Sequence, residues 1–388
     1  MASVSLDGLK TSIITQSLLS DVGADAFLPF VGSINTITQS TSNDGNVVSV
    51  PTTTLAPGNT ATIEIPKYGY LSAIAIEMPC TANPVAPLNT DSAAAVQHAA
   101  YATLELCEVR SQGKKLLGWT GRGMSSMLQH YLSKSQYDAV ANLAGDGTKA
   151  HSILVVPLPS FFDKKLALNT VMLDRMELVL RFSASNGSQP PSGAGRVHFW
   201  YHQVDPETES MIRSELFKSG NRNLLMFDCQ SYSLSTGTSV NLTSQKLVRC
   251  HYVDEFIAAS GLGYNYVKGA VAATGSNALN QLVSVKAGGR VIYESPKSLA
   301  VLNSVINGKE VNNPRSLCVD YRNGIIKGSS ADYSSGLALR HLPNPTLSVS
   351  AFMTNGTTAT DNLVVSEEAY VMVAIDANSG RISVVAEN

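Results

Sequence analysis

Charge is scarce in this 388-residue chain: Asp, Glu, Lys and Arg together make up 15 % of it, where roughly 25 % is usual for soluble domains. The two signs nearly cancel, at a formal −2, so no global field draws the chain to nucleic acid or an acidic membrane. A surface this poor in charge loses little on desolvation, which suits broad protein contacts. A compact β protein with Ser/Thr-rich loops has the same composition. Five cysteines, Cys80, Cys107, Cys229, Cys250 and Cys318, never form a Cys-x-x-Cys pair. That argues against a disulfide framework or a zinc site and for synthesis in a reducing compartment. The start of the chain lacks the basic and apolar regions of a signal peptide. No apolar run reaches the roughly 18 residues of a bilayer span. A protein soluble when made is expected.

Catalytic patterns are also missing. There is no Gly-x-Ser-x-Gly elbow, no phosphate-binding Gly-rich loop and no His-Glu-x-x-His. "GLGYNY" at 261–266 lacks a third glycine and a following helix, so it reads as a loop. The seven histidines are dispersed. His198 and His202 share a strand face but stand too far apart to hold a metal ion easily. Asp361, Glu367 and Glu368 read as solvated charges near strand ends. Arg110, Lys114, Lys115 and Arg122 beside Trp119 form a positive patch, a solvated hairpin ahead of a nucleic-acid contact. Asn186, Asn307, Asn323 and Asn355 each precede glycine and read as hairpin turns. Asn186, Asn241 and Asn355 also fit the glycosylation sequon, which carries little weight without a secretory signal. No catalytic residue, metal ion or cofactor is expected.

What is present is mostly β signal. "ATIEIPKYG", "LSAIAIEMP", "ATLELCEVRSQGKKLLGW", "HSILVVPLP", "MELVLRFSAS" and "RVHFWYHQVD" are short and rich in β-branched and aromatic residues. "GMSSMLQHYLSKSQYDAVANLAGDG" interrupts them as one helical insertion, with Met127, Tyr131, Tyr137, Val140 and Leu143 as its apolar stripe. Asp205, Pro206, Glu207, Glu209, Lys218 and Gly220 punctuate a linker helix. Strands then resume to the end. Ahead of them all, Leu9, Ile13, Ile14 and Leu18 lie at helical spacing, with Gly23 and Pro29 as breakers. This is an amphipathic arm for a neighbour or a membrane, or a short helix packed on its own domain.

The chain repeats itself. "VRSQGKKLLGW" and "VKAGGRVIYES" align Val109 with Val285, Arg110 with Lys286 and Gly113 with Gly289, 176 residues apart. The Leu-Ala-Leu at 166–168 matches that at 337–339, and "FWYHQVD" matches "YVMVAID", both 171 apart. Three matches in one order at nearly one offset imply two copies of a β unit, although any two β regions share some likeness. In each copy Leu-Ala-Leu sits on a short crossing between strands. Leu166 and Leu168, or Leu337 and Leu339, would plug the end of a sandwich core. Pro157 and Pro159 would stop the strand before it.

On four stretches the sequence resembles the double jelly-roll major capsid proteins of tailless icosahedral DNA viruses, namely tectivirus- and corticovirus-like phages and the nucleocytoplasmic large DNA viruses. They are "LELCEVRSQGKKLLGW" with the helical stretch after it, "VVPLPSFFDKKLALNTVMLDRMELVLRF", "FWYHQVDPETESMIRSELF", and "GLALRHLPNPTLSVSAF" with "AYVMVAIDANSGRISV". The most specific signal is Pro157, Leu158, Pro159, Phe161, Phe162 and the Leu-Ala-Leu that follows. The likeness covers residues from about 60 to the end. It implies an all-β chain of two tandem eight-stranded jelly-roll sandwiches with short inserted helices. The expected division is an arm at 1–34, a first roll with the linker helix at 35–220 and a second roll at 221–388.

It further implies a non-enzymatic capsid protein whose homotrimers mimic hexagons and tile an icosahedral shell. Expected partners are copies of itself, penton or vertex and minor capsid proteins, and an internal lipid membrane reached by the arm, with no sequence-specific nucleic acid. The implied location is the virion, after synthesis in host cytoplasm. Two other classes compete. A receptor- or carbohydrate-binding sandwich needs clustered exposed aromatics, and only Trp119 and Trp200 are available as tryptophans. A sandwich hydrolase needs paired carboxylates of raised pKa, and none stands out.

Overall fold

The computed structural model describes residues 47–81, 95–97, 100–145, 150–162, 168–170, 173–184, 189–202, 221–234, 239–259, 263–268, 282–312, 316–321, 336–349, 361–376 and 382–384. Sixteen of the strands among them fall into two sets of eight. The first set is β1 (Val47–Leu55), β2 (Thr60–Glu64), β3 (Tyr70–Pro79), β4 (Leu104–Ser111), β5 (Lys114–Trp119), β6 (His151–Val156), β7 (Met176–Phe182) and β8 (Gly193–His202). The second is β9 (Asn221–Leu234), β10 (Ser239–Asn241), β11 (Leu247–Ala259), β12 (Leu282–Ala287), β13 (Arg290–Pro296), β14 (Ser316–Asp320), β15 (Thr346–Val349) and β16 (Asp361–Asp376). Four α-helices among the described residues lie between strands: α1 (Gly121–Tyr131), α2 (Lys134–Ala144), α3 (Pro159–Phe162) and α4 (Lys297–Ile306).

Pairing joins the first set into sheets of order β1-β8-β3-β6 and β2-β7-β4-β5. The second set gives β9-β16-β11-β14 and β10-β15-β12-β13. Adding eight to every label of the first roll produces the second. The fold is a double jelly roll.

The duplication extends to local chemistry. The β4–β5 turn is Gln112-Gly113, at φ 50° and 76°, and the β12–β13 turn is Gly288-Gly289, at 54° and 79°. Two consecutive positive φ values make the hairpin turn whose twist matches its strands. Each hairpin also slips register at one place, Val109/Arg110 in the first and Val285/Lys286 in the second. These are the residues that the sequence repeat aligns, so each roll carries the same bulge. After the sixth strand of each roll a two-residue bridge returns to the third: Leu168–Asn169 to β3, and Leu337–Ala338 to β11.

Each roll has its own apolar core. Leu71, Ile74, Ile76, Leu178 and Phe199 belong to the first; Val253, Val283, Leu317, Leu347 and Val365 belong to the second. Strand pairing nevertheless joins the rolls in two places among the described residues. β5 and β9 meet in parallel at Trp119 and Cys229. Ala95–Gln97, between β3 and β4, pairs with Gly263–Lys268, between β11 and β12.

Four details differ from the sequence reading. The long helical insertion is two helices, because Ser133 starts a new one through a capping box with Gln136. Leu143, assigned to the apolar stripe, is 45 % exposed. The "GLGYNY" stretch enters a strand at Gly263, where alternating Tyr264 and Tyr266 suit a pleated surface better than a loop. Asn307 also ends α4 rather than a hairpin, with Gly308 at φ 81° just after it. The arm at 1–34, the linker helix at 205–220, Leu166, Asn186, Asn323 and Asn355 lie outside the described residues.

A Cβ built at Gly113 or Gly289 meets no atom within 4 Å. Alanine at either site therefore pays only for the left-handed backbone, about 1–2 kcal/mol. Urea titration of Gly113→Ala and Gly289→Ala should give similar losses of stability in both.

Candidate functional site

Among the described residues, the densest polar chemistry lies where the two rolls meet. α1 makes that contact. Thr120 caps it by accepting from the Gly123 N–H, and the helix is sunk on nearly every side from Gly121 to His130. Glycine allows the approach: a Cβ on Gly123 would stand 2.7 Å from the carbonyl oxygen of Cys229 in β9. The helix lies over the outer face of the β9-β16-β11-β14 sheet. Cys229, Cys250, Tyr252 and Cys318 on that face join the first core, while Val253, Leu317 and Val365 face the second.

At the centre is Glu368, fully buried on β16. The Arg249 guanidinium approaches to 2.9 Å and the Lys309 ammonium to 3.2 Å. Tyr131 of α1 donates to Glu368 Oε1 at 2.6 Å, and Tyr252 donates to Oε2. Lys309 also donates to the Tyr252 hydroxyl at 2.8 Å and stands 3.4 Å from the centre of the Tyr131 ring. Burial alone would raise the pKa of Glu368, but the Lys309 and Arg249 charges outweigh it and hold the carboxyl well below its usual range. Two cations and two hydroxyls meet the demand of one buried carboxylate.

Around this centre further bonds cross the junction. His130 stacks on Tyr252 with ring centres 5.0 Å apart. Its Nε2 lies 2.7 Å from the Ser316 hydroxyl and its Nδ1 2.9 Å from the Glu310 carbonyl oxygen. Burial, then the nearby Lys309 charge, push His130 down to about 3. Ser126 donates to Asp254, whose pKa burial raises to about 6 against the opposing bonds from Ser126 and Ser316. Asn312 donates to the carbonyls of Gln129 and Leu132 at 2.9 and 2.7 Å. At the rim, Lys246 reaches buried Asp228 at 3.1 Å and Lys115 at 3.9 Å.

The sequence reading of Glu367 and Glu368 as solvated strand-end charges is therefore wrong. Both are buried in mid-strand, Glu367 facing His251 at 3.4 Å. The positive patch also dissolves: Trp119 is fully buried, Arg110 pairs with Glu108, and Lys115 turns to Glu108 and Asp228.

The residues of the proposed plug are placed as follows. β6 ends at Val156; Pro157, Leu158 and Pro159 are buried, and α3 starts at Pro159. Phe161 packs on the first core from a half-buried position. Phe162 belongs to α3. Leu168 is buried in the first core, Leu339 in the second, and Leu337 packs against the second from its edge. His198 bonds to Ser49 Oγ at 2.8 Å and Glu77 Oε2 at 3.0 Å on the outer face of the first roll. Among the described residues no group of three or more His, Cys, Asp and Glu could hold a metal ion.

Neither a protein-family model nor a curated protein matches the sequence. Solved structures do match its fold. The chain is similar to PBCV-1 VP54, as fitted into a reconstruction of the virophage Sputnik, with TM-score 0.60 at 12 % identity over 88 % of this chain and 97 % of that one. It is similar to the Faustovirus major capsid protein, with TM-score 0.55 at 8 % identity over 84 % and 90 %. The Sulfolobus turreted icosahedral virus major capsid protein gives TM-score 0.50 at 12 % identity over 84 % and 96 %. At these identities the likeness is one of fold.

Removing Glu368 strands two buried cations, so Glu368→Ala should cost about 3–5 kcal/mol in urea titration. Tyr131→Phe should cost less, about 1.5–3 kcal/mol for one bond to a charged group. Acid should loosen the same junction. His130 and Glu368 both have folded pKa values below their ordinary 6.5 and 4.5. Each therefore contributes stability that disappears as pH falls below those values. Asp254 works the other way between 6 and its ordinary 3.8. It offsets His130 in that range, and stability should fall most steeply from about pH 4.5 to 3. Urea midpoints measured across that range check the sign.

Proposed function

We propose that this chain is the major capsid protein of an icosahedral virus, forming pseudo-hexagonal homotrimers that tile the shell. The observation that carries the reading is the duplication itself. Two rolls of one topology in each chain give six similar units around a three-fold axis, so a trimer fills a position with six neighbours. The similarity in fold to the major capsid proteins of Faustovirus and Sulfolobus turreted icosahedral virus supports the same reading. A chain poor in charge suits the broad interfaces of such an assembly, which commonly bury more than about 2,000 Å² when obligate.

In this reading the protein is structural and carries no catalysis. The arm at 1–34 turns inward to neighbouring trimers or an internal lipid membrane. Penton or vertex and minor capsid proteins complete the shell, and the virion is its location after synthesis in host cytoplasm. Pro157 to Phe162 with Leu166 and Leu168, and Leu337 with Leu339, close one end of each roll as a plug. The carbohydrate-binding reading has less support. With Trp119 buried, Trp200 is the single tryptophan left for a stacking platform.

Light scattering of the purified full chain should give the mass of three chains, and electron microscopy at high concentration should show shells or flat hexagonal arrays. A stable monomer that binds a glycan array would overturn the proposal.

A further inference from the structure

Resting on the capsid reading, we propose that the exposed stripe of α4 is the trimer-forming contact and that it seats on the outer face of the β1-β8-β3-β6 sheet of a second copy. The argument starts from the junction already made inside one chain. The connection from the fifth to the sixth strand of the first roll holds α1, which covers the outer face of the second roll's β9-β16-β11-β14 sheet. The same connection in the second roll, β13 to β14, holds α4. The second roll thus also carries a helix in this connection, packed by one side on its own β14 and β13, and its own chain has no third roll to cover the other side.

The surface of α4 fits that role. Ala300 and Ser304 are buried and Val301 packs on the second core, while Asn303 donates to the Asp320 carbonyl at 3.1 Å. On the other side Leu299, Leu302, Val305 and Ile306 are 48–56 % exposed. Their spacing of three, three and one places them along one stripe. Val291 and Ile292 on β13 extend the exposed aliphatic surface. This is not what a helix over a sixth strand must look like. α2 packs beside β6 in the same manner, and its exposed positions are Lys134, Ser135, Gln136, Ala139, Asn142 and Leu143, with a single large aliphatic residue among them. A row of four large aliphatic residues in water marks a contact.

The receiving face follows from the duplication. The sheet equivalent to the one under α1 is β1-β8-β3-β6, and no helix of the described residues lies over its outer side as α1 does in the second roll. That side presents Trp200, 36 % exposed, with half-buried Val47, Ala73 and Ile153 beside it. Each copy then has one donor helix and one acceptor sheet. The contact is head-to-tail, and such contacts generate rings when the rotation closes.

The test uses full-length chains. Leu302→Asp with Ile306→Asp disables the donor, and Trp200→Asp with Ala73→Asp disables the acceptor. These positions are solvent-accessible in the isolated chain, so circular dichroism should be unchanged in both variants. Light scattering should find each variant monomeric where the wild type is trimeric. Mixing the two should recover a two-chain species and nothing larger, because such a pair retains one intact contact. Should the donor variant misfold, trimers persisting in the acceptor variant would still overturn the assignment. Trimers in either folded variant overturn this contact and leave the capsid reading standing. A wild type that stays monomeric at all concentrations overturns both.

Discussion

A carboxylate stripped of water at the meeting of two β-sandwiches is the constraint from which the rest of this architecture follows. Glu368 sits fully buried on β16. An isolated charge in such a place would cost several kcal/mol, so its surroundings are not free to vary. Arg249 comes from the neighbouring strand β11, Lys309 from the segment after α4, and Tyr131 from a helix of the other roll. Three separate stretches must therefore arrive together. α1 can supply its tyrosine only by lying against the sheet, and it lies close enough only because Gly123 has no side chain to strike β9.

This cluster also distinguishes a two-roll chain from two rolls on a tether. Apolar contact alone tolerates sliding, since one aliphatic face fits another in many registers. Bonds from His130 to Ser316, from Asn312 to the end of α1 and from Tyr131 to Glu368 each require one relative position. A buried polar network of this kind fixes orientation more than it adds stability. For the proposed capsid role, in which two rolls meet their neighbours at a set angle, orientation is the property that matters.

Much of the fold was legible because its signals are local. The paired turns at Gly113 and Gly289 follow from backbone sterics that only a few residue types satisfy. The shared bulges fall where the repeat aligns Val109 with Val285. Pro157 marks the end of β6 because it cannot donate to a ladder. The junction was not legible in this way. Glu367 and Glu368 read as solvent-facing, since charge near the end of a strand ordinarily is. Nothing in "VSEEAYVMV" names Arg249, more than a hundred residues earlier, as a partner. The one available hint was unused: β11 reads "LVRCHYVDEF", where arginine, histidine and aspartate alternate with apolar residues on a strand that has no exposed side. Charges on a doubly covered strand imply a buried network even when its members cannot be paired from sequence.

The two kinds of contact proposed for this chain have unlike chemistry for a physical reason. The intramolecular junction forms once, during folding, with its partners held at high effective concentration by the chain itself. It can therefore bury Glu368 with two cations and keep the orientation they impose. A contact between separate copies must first exist as bare surface in water. Charges there would be strongly hydrated, and burying them on association would set their desolvation against the energy of binding. Leu299, Leu302, Val305 and Ile306 carry no such penalty, and covering them is favourable from the first encounter. Ionic inside the chain and aliphatic between chains is the division expected if one interface is inherited with the fold and the other is made afresh at every assembly.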